Sequence, residues 1–226
     1  MERGVPPLSR PDVSSKPGES NDRPIGLILC GGQSSRMGRD KGLVPLTKSS
    51  ESEPAPTFVD NAIALLRPFV SRVYLSLREE QASLYESLVK GRIQVRFIFD
   101  EPVASGPLRG LLSAHRAMPE ASILLLAVDM IRLQRRHIQA LLESEKSENE
   151  KWSACYRHAS GHFEPLIAYY RSDDLHRIAK WSAASPQAGL SYWLQKLQIR
   201  ALPISDPETP SFTSQNSEFD ITRSDP

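Results

Sequence analysis

The chain has 226 residues, and its 28 lysines and arginines are almost balanced by 27 aspartates and glutamates. A formal net charge of +1 excludes a protein that binds nucleic acid through a strong basic field. Two cysteines, Cys30 and Cys155, are too few for a disulfide scaffold, and no apolar run reaches the length of a signal peptide or membrane span. These features predict a cytoplasmic protein that does not cross a membrane.

The two ends of the chain differ in composition from its middle. Residues 1–24 are rich in proline, serine and glycine and have no apolar period, which predicts a flexible leader. Residues 25–204 are predicted to form one domain, since their number suits a single compact unit. Residues 205–226 are polar again, but Phe212 gives this last segment a means of docking on the domain.

Between the ends, strand-like apolar runs alternate with helix-like spacing, which predicts an α/β fold with four parallel strands. The first elements predicted are strand Ile25–Cys30, helix Phe58–Arg67, strand Val73–Leu77, helix Glu79–Lys90, strand Val95–Phe99, helix Leu108–Met118 and strand Ile123–Val128. The later ones are helix Gln134–Glu145, strands Ser153–Arg157 and Leu166–Tyr170, and helices Asp173–Ala184 and Leu190–Leu197. The polar segment Thr47–Thr57 is predicted to be a surface loop, either a lid or a passive insertion.

The strongest local signal is the sequence GGQSSRMGRDK, from Gly31 to Lys41, directly after the first predicted strand. Paired glycines let backbone N–H groups approach a phosphate, and Arg36 and Lys41 add positive charge. By glycine content alone, an ordinary strand-to-helix turn is an equally good interpretation. The spacing is neither GxGxxG nor GxxxxGK[ST], so it indicates neither a dinucleotide fingerprint nor a P-loop.

The motif resembles the G-G-x-S-x-R-M-G-x-D-K signature of the molybdenum cofactor guanylyltransferases, within the nucleotidyltransferase superfamily. Further matches follow in the family's order: Asp100 after a strand, GPLRG at 106–110, Asp129 in AVDM, EPLIA at 164–168, and a fainter terminal match in FTSQNSE at 212–218. The resemblance implies a Rossmann-like three-layer α/β/α sandwich with a mostly parallel central sheet, of the nucleotide-diphospho-sugar transferase type.

The resemblance also implies which residues form the site. The implied catalytic residues are Arg36, Lys41 and Asp129, with Asp129 as the ligand of Mg²⁺. The implied nucleotide-binding residues are Leu29, Cys30, Gly31, Gly32, Lys41, Ser76, Asp100 and Asp129. For Asp100, a contact to the nucleotide and the orientation of metal-bound water remain open.

The implied reaction is transfer of GMP from GTP to the terminal phosphate of molybdopterin, giving the guanine dinucleotide cofactor and pyrophosphate. Proteins that deliver the cofactor or insert it into enzymes are implied as further partners. The chain departs from the family at Cys30, where alanine is usual, and at Ser76, where asparagine is common. A cytidylyltransferase or other nucleotidyltransferase of the same fold therefore stays open, as does a GTP-binding module without catalysis.

Overall fold

The computed structural model describes residues 23–31, 40–47, 55–89, 94–144 and 152–214. Gly32 and Arg36 of the glycine-rich motif lie outside these ranges, as do most of the predicted leader, most of the predicted loop Thr47–Thr57 and the end of the FTSQNSE segment. The domain boundaries at 25 and 204 stay predictions.

A seven-stranded sheet forms the centre of the described structure. Its strands are β1 (Ile25–Leu29), β2 (Val73–Leu77), β3 (Val95–Phe99), β4 (Ile123–Ala127), β5 (Ala154–Arg157), β6 (Phe163–Tyr170) and β7 (Arg200–Pro203). Their order across the sheet is β3-β2-β1-β4-β6-β5-β7. Strands β1 to β4 are parallel to one another, as predicted, whereas β6 is antiparallel to both of its neighbours.

The helices are α1 (Phe58–Leu66), α2 (Ala82–Val89), α3 (Pro107–Ala117), α4 (Arg135–Ser144), α5 (Ser172–Ala184) and α6 (Leu190–Lys196), with short 3₁₀ helices at Lys41–Leu43, Glu79–Gln81 and Asp206–Phe212. Local sequence explains two of the starts. Thr57 and Asp60 form a capping box at α1. Gly106 precedes Pro107 at α3 with φ of 58°, a conformation that favours glycine. Within the described ranges, no helix has the length and apolarity to span a bilayer.

Two apolar clusters cover the two faces of the sheet, because successive side chains of a strand point to opposite sides. Ile28 on β1 and Cys30 directly after it belong to the cluster formed with α1, α2 and α4. Leu27 and Leu29 belong to the cluster formed with α3, α5 and α6. The predicted three-layer α/β/α arrangement is confirmed.

In the second half of the chain, the predicted start of one strand is wrong and another strand has no predicted counterpart. Strand β6 begins at Phe163 rather than Leu166, because Pro165 has no backbone donor and a proline in an apolar run argues against a strand. The sequence does not predict strand β7, because Arg200 and Pro203 enclose only two apolar residues, too few to show the alternation typical of a strand. This strand lies at the sheet edge, where proline is tolerated.

Candidate active site

The sheet has its topological switch point between β1 and β4. From β1 the chain continues through β2 to β3 on one side, whereas β4 lies on the other side of β1. The backbone N–H of Val128 donates to the carbonyl oxygen of Leu29 at 3.2 Å, so the two strands remain joined up to this edge. In open α/β sheets, ligands bind in the crevice beyond the carboxyl ends of the strands at such a point.

Lys41 and Asp129 meet at this crevice although 88 positions separate them in the sequence. Lys41 Nζ donates to Asp129 Oδ2 at 2.5 Å, and the two side chains are 18% and 16% exposed. The other carboxylate oxygen, Asp129 Oδ1, is buried and accepts no hydrogen bond from the part of the chain that the structure describes. The end of the glycine-rich motif and the carboxylate after β4 therefore face one common point.

Asp40 fixes the segment that carries Lys41. Its carboxylate accepts hydrogen bonds from the Gly42 backbone N–H at 3.1 Å, from Gln81 Nε2 and from the Tyr85 hydroxyl. Burial raises the pKa of Tyr85, followed by its interactions with Cys30 and Asp40, so this phenol stays protonated as a donor. Through Asp40, the segment that carries Lys41 is therefore anchored to α2 and to the 3₁₀ helix before it.

A second carboxylate, that of Asp100, lies on the β2–β3 side of the crevice. Asp100 Oδ1 accepts from the Ser76 hydroxyl at 2.5 Å. Ser76 is only 1% exposed, and its carbonyl oxygen accepts from the backbone N–H groups of Cys30 and Gly31, each at 3.1 Å. A Cβ on Gly31 would come within 2.7 Å of Asp100 Oδ2, so a larger residue here would force this carboxylate to move. The Ser76 side chain thus contacts Asp100 rather than open solvent.

The Cys30 thiol is not available as a nucleophile. Burial raises its pKa well above the usual value, and the negative charge of Asp40 adds to this effect. Its carbonyl oxygen accepts from Gln81 Nε2 at 3.5 Å, which joins the end of β1 to the same anchor as Asp40.

Reasoning from the sequence missed two groups of residues at this edge. Gln81 and Tyr85 are spaced i,i+4, the spacing that places both on one side of a helix, yet nothing in the pattern tied them to Asp40. Glu164 and His158 lie on the other side of Asp129, at the β5–β6 hairpin, with 3.4 Å between Glu164 Oε2 and His158 Nε2. Glu164 begins the EPLIA segment, and this was the signal available for it.

The donor set suits a cation that is shared with a substrate. Within the described ranges, no group of three histidine, cysteine, aspartate or glutamate side chains could hold a metal by itself. Asp129 instead offers one buried carboxylate oxygen without a partner. Mg²⁺ commonly binds through one or two carboxylates, waters and substrate phosphates, so this site fits Mg²⁺ better than a metal held by the protein alone.

Two curated relatives resemble the chain over most of its length. A probable molybdenum cofactor guanylyltransferase of Chloroflexus aggregans is 30% identical over 70% of this chain and 71% of its own length. One of the same name from Synechococcus elongatus is 31% identical over 80% of this chain and 88% of its own.

Solved structures share the fold. A molybdopterin-guanine dinucleotide biosynthesis protein A from Archaeoglobus fulgidus superposes with a TM-score of 0.66 at 22% identity, covering 88% of this chain and 95% of its own. A nucleotidyl transferase from Methanothermobacter thermautotrophicus has a TM-score of 0.64 at 18% identity, covering 89% and 95%. The sequence profile of the MobA-like NTP transferase domain matches residues 26–201, and the chain belongs to this family.

Proposed function

We propose that this protein transfers GMP from GTP to the terminal phosphate of molybdopterin, giving the guanine dinucleotide form of the cofactor and pyrophosphate. The observation that carries the proposal is the contact between Lys41 and Asp129 at the switch point of the sheet. This contact brings Lys41, the last residue of the glycine-rich motif, next to Asp129, the carboxylate expected to hold the metal. Relatives at 30% and 31% identity carry the name of this activity.

The reaction exchanges one phosphorus–oxygen bond for another. An oxygen of the acceptor phosphate bonds to the α-phosphorus of GTP, the bond from that phosphorus to the bridging oxygen breaks, and pyrophosphate leaves with the electron pair. A phosphate monoester has a second pKa of about 6 and is mostly dianionic at neutral pH, so no side chain is needed as a base to deprotonate the acceptor. Catalysis then consists of positioning and charge neutralisation.

Lys41 and Asp129 are the residues to which we assign that neutralisation. Asp40 fixes the segment that carries Lys41, and Lys41 lies beside Asp129. We propose that its positive charge there neutralises the negative charge that develops on the α-phosphate and on the departing pyrophosphate. Asp129, with its unpartnered Oδ1, is the residue that would hold Mg²⁺, which supplies positive charge to the phosphates when bound. We propose that Arg36 and the backbone of Gly31 and Gly32 complete the phosphate-binding turn.

For the base and ribose, we propose binding against the ends of β1 to β3, where Leu29, Cys30 and Asp100 lie. Because Ser76 is buried and donates to Asp100, we assign it an indirect part, in which its hydroxyl fixes the carboxylate that faces the nucleotide. Asparagine at this position would offer an amide that serine lacks, so base selection must be measured rather than carried over from relatives.

We propose that the protein works in the cytoplasm. Both cysteines, Cys30 and Cys155, are buried free thiols, which is typical of a reducing compartment. Proteins that supply molybdopterin or receive the product are the partners that follow from the proposed reaction.

The proposal is tested by incubating the protein with molybdopterin, Mg²⁺ and each of GTP, CTP, ATP and UTP, and identifying the dinucleotide product and pyrophosphate. We expect the guanine dinucleotide with GTP, and loss of product when a chelator removes Mg²⁺. A cytosine dinucleotide as the main product would reassign the base. GTP binding without pyrophosphate release would instead favour a module without catalysis.

A further inference from the structure

The other side of the Asp129 crevice, opposite the glycine-rich motif, is built from β5 and β6. Strand β6 runs antiparallel to β4, so its first residues lie at the edge where β4 ends and Asp129 begins the next turn. Glu164 is the second residue of β6. Leu126 of β4 pairs with Ile167 of β6, and continuing this antiparallel register by three residues brings Asp129 opposite Glu164.

A β-bulge sets the direction of this part of β6. The register against β5 shifts between Cys155, which pairs with Ala168, and Tyr156, which pairs with Glu164. The carbonyl groups at the shift are satisfied by side chains, since Tyr170 Oη donates to the Pro165 oxygen at 3.0 Å and Cys155 Sγ to the Glu164 oxygen at 3.2 Å. Bulges of this kind frequently lie beside active sites and re-aim a side chain.

The side-chain partner of the Glu164 carboxylate is a histidine. His158 Nε2 lies 3.4 Å from Glu164 Oε2. The Glu164 side chain is 18% exposed. Burial is the main cause of its raised pKa, ahead of the opposing effect of His158. A half-buried carboxylate that pairs with no lysine or arginine of the described residues is costly to keep charged unless a ligand brings positive charge.

We propose that Glu164 is a second carboxylate of the transfer site, acting with Asp129 on the divalent cation that accompanies the nucleotide, and that His158 positions it. This inference rests on the proposed function. Lys41 pairs with Asp129, so Glu164 adds a further negative charge on the β6 side of the crevice. Such a crevice attracts a divalent cation and repels phosphates that arrive without one.

This role predicts two changes of opposite sign in Glu164→Gln. The neutral amide weakens the affinity of the protein–GTP complex for Mn²⁺ by about tenfold or more, the scale of effect seen when groups around a metal are changed. The same variant strengthens GTP binding in the absence of divalent cations, because a repulsive charge is gone. A structural role, in which the substitution merely loosens the hairpin, would weaken both.

The experiment titrates Mn²⁺ into the protein with GTP, following free Mn²⁺ by its electron paramagnetic resonance signal, and measures GTP affinity separately in chelator. Glu164→Asp keeps the charge and should retain most of the Mn²⁺ affinity. His158→Gln should give a smaller loss than Glu164→Gln. Glu143→Gln changes an exposed carboxylate on α4 and should behave as wild type.

Wild-type Mn²⁺ affinity in Glu164→Gln would overturn the inference, as would a weakening of GTP binding in chelator. If Asp129→Asn still loses Mn²⁺ in that case, the proposed function stands without Glu164. If Asp129→Asn also binds Mn²⁺ as wild type does, the proposed metal site itself fails. Circular dichroism of each variant confirms that it is folded, and Glu164→Asp keeps the inference open to disproof if the glutamine variant does not fold.

Discussion

The two aspartates that flank Lys41 in space are held in opposite ways. Asp40 accepts hydrogen bonds from Gly42, Gln81 and Tyr85, so its carboxylate has little capacity left for a ligand. One oxygen of Asp129 accepts from Lys41, and the other is buried with no hydrogen-bond partner among the described residues. Leaving a buried acceptor unsatisfied costs about 1–3 kcal/mol. We therefore assign Asp40 to positioning and Asp129 to binding.

Tyr85→Phe tests the positioning role of Asp40. Removing the phenol deletes one of its donors, so the free energy of unfolding should fall by about 1 kcal/mol. GTP affinity should also fall, because the segment bearing Lys41 is held less firmly. Urea denaturation and nucleotide titration measure the two effects, with Tyr192→Phe as the control at an exposed tyrosine. A loss of stability with unchanged GTP affinity would contradict this role.

Gly31→Ala tests the close approach between the glycine-rich turn and Asp100. The new Cβ would lie 2.7 Å from Asp100 Oδ2, and that carboxylate is fixed by Ser76. We expect GTP affinity to drop at least about tenfold while the protein remains folded, since the misfit lies at the surface of the site. In Gly189→Ala the Cβ meets nothing within 4 Å, so affinity should not change. Equal GTP affinities in the two variants would refute the expected crowding.

Helices α3 and α5 pack against each other through a pair of histidines, away from the candidate active site. The rings of His115 and His176 make an edge contact with 4.5 Å between their centroids. His115 is 4% exposed, and within the described ranges its Nδ1 has no hydrogen-bond partner. Burial lowers the pKa of His115, the neighbouring His176 lowers it further, and Glu120 opposes both.

This contact predicts a pH dependence of stability. Because the folded-state pKa of His115 lies below its unfolded value near 6.5, the unfolded chain takes up the proton more readily. The stability gained from the neutral ring is fully present above about pH 6.5 and is lost as the pH falls through the folded-state pKa. In His115→Leu the free energy of unfolding should decline less between about pH 7 and 5 than in wild type. Denaturant titrations check this, with the exposed His162→Gln as control; equal declines in His115→Leu and wild type would contradict it.

The secondary structure of the first half of the chain could be predicted from the sequence much better than that of the second half. The apolar runs of β1 and β4 are nearly continuous because both strands are covered on two faces, and Pro68 and Pro119 mark where helices end. The meeting of Lys41 with Asp129 follows from that topology, since parallel strands end at one edge. The bulge in β6 could not be predicted, because a register shift between strands produces no recognisable pattern in the sequence. The position of Glu164 beside Asp129 depends on this part of β6 and could not be predicted either.

The most direct measurement is single-turnover transfer of labelled GMP from GTP to molybdopterin by wild type, Lys41→Ala and Asp129→Asn. The matched controls are Lys180→Ala and Asp173→Asn, which change exposed side chains of α5. We predict that each site variant loses at least about 10²-fold in rate, the scale of effect for groups that neutralise charge in the transition state, while the controls keep the wild-type rate. Wild-type rates in both site variants would contradict the account.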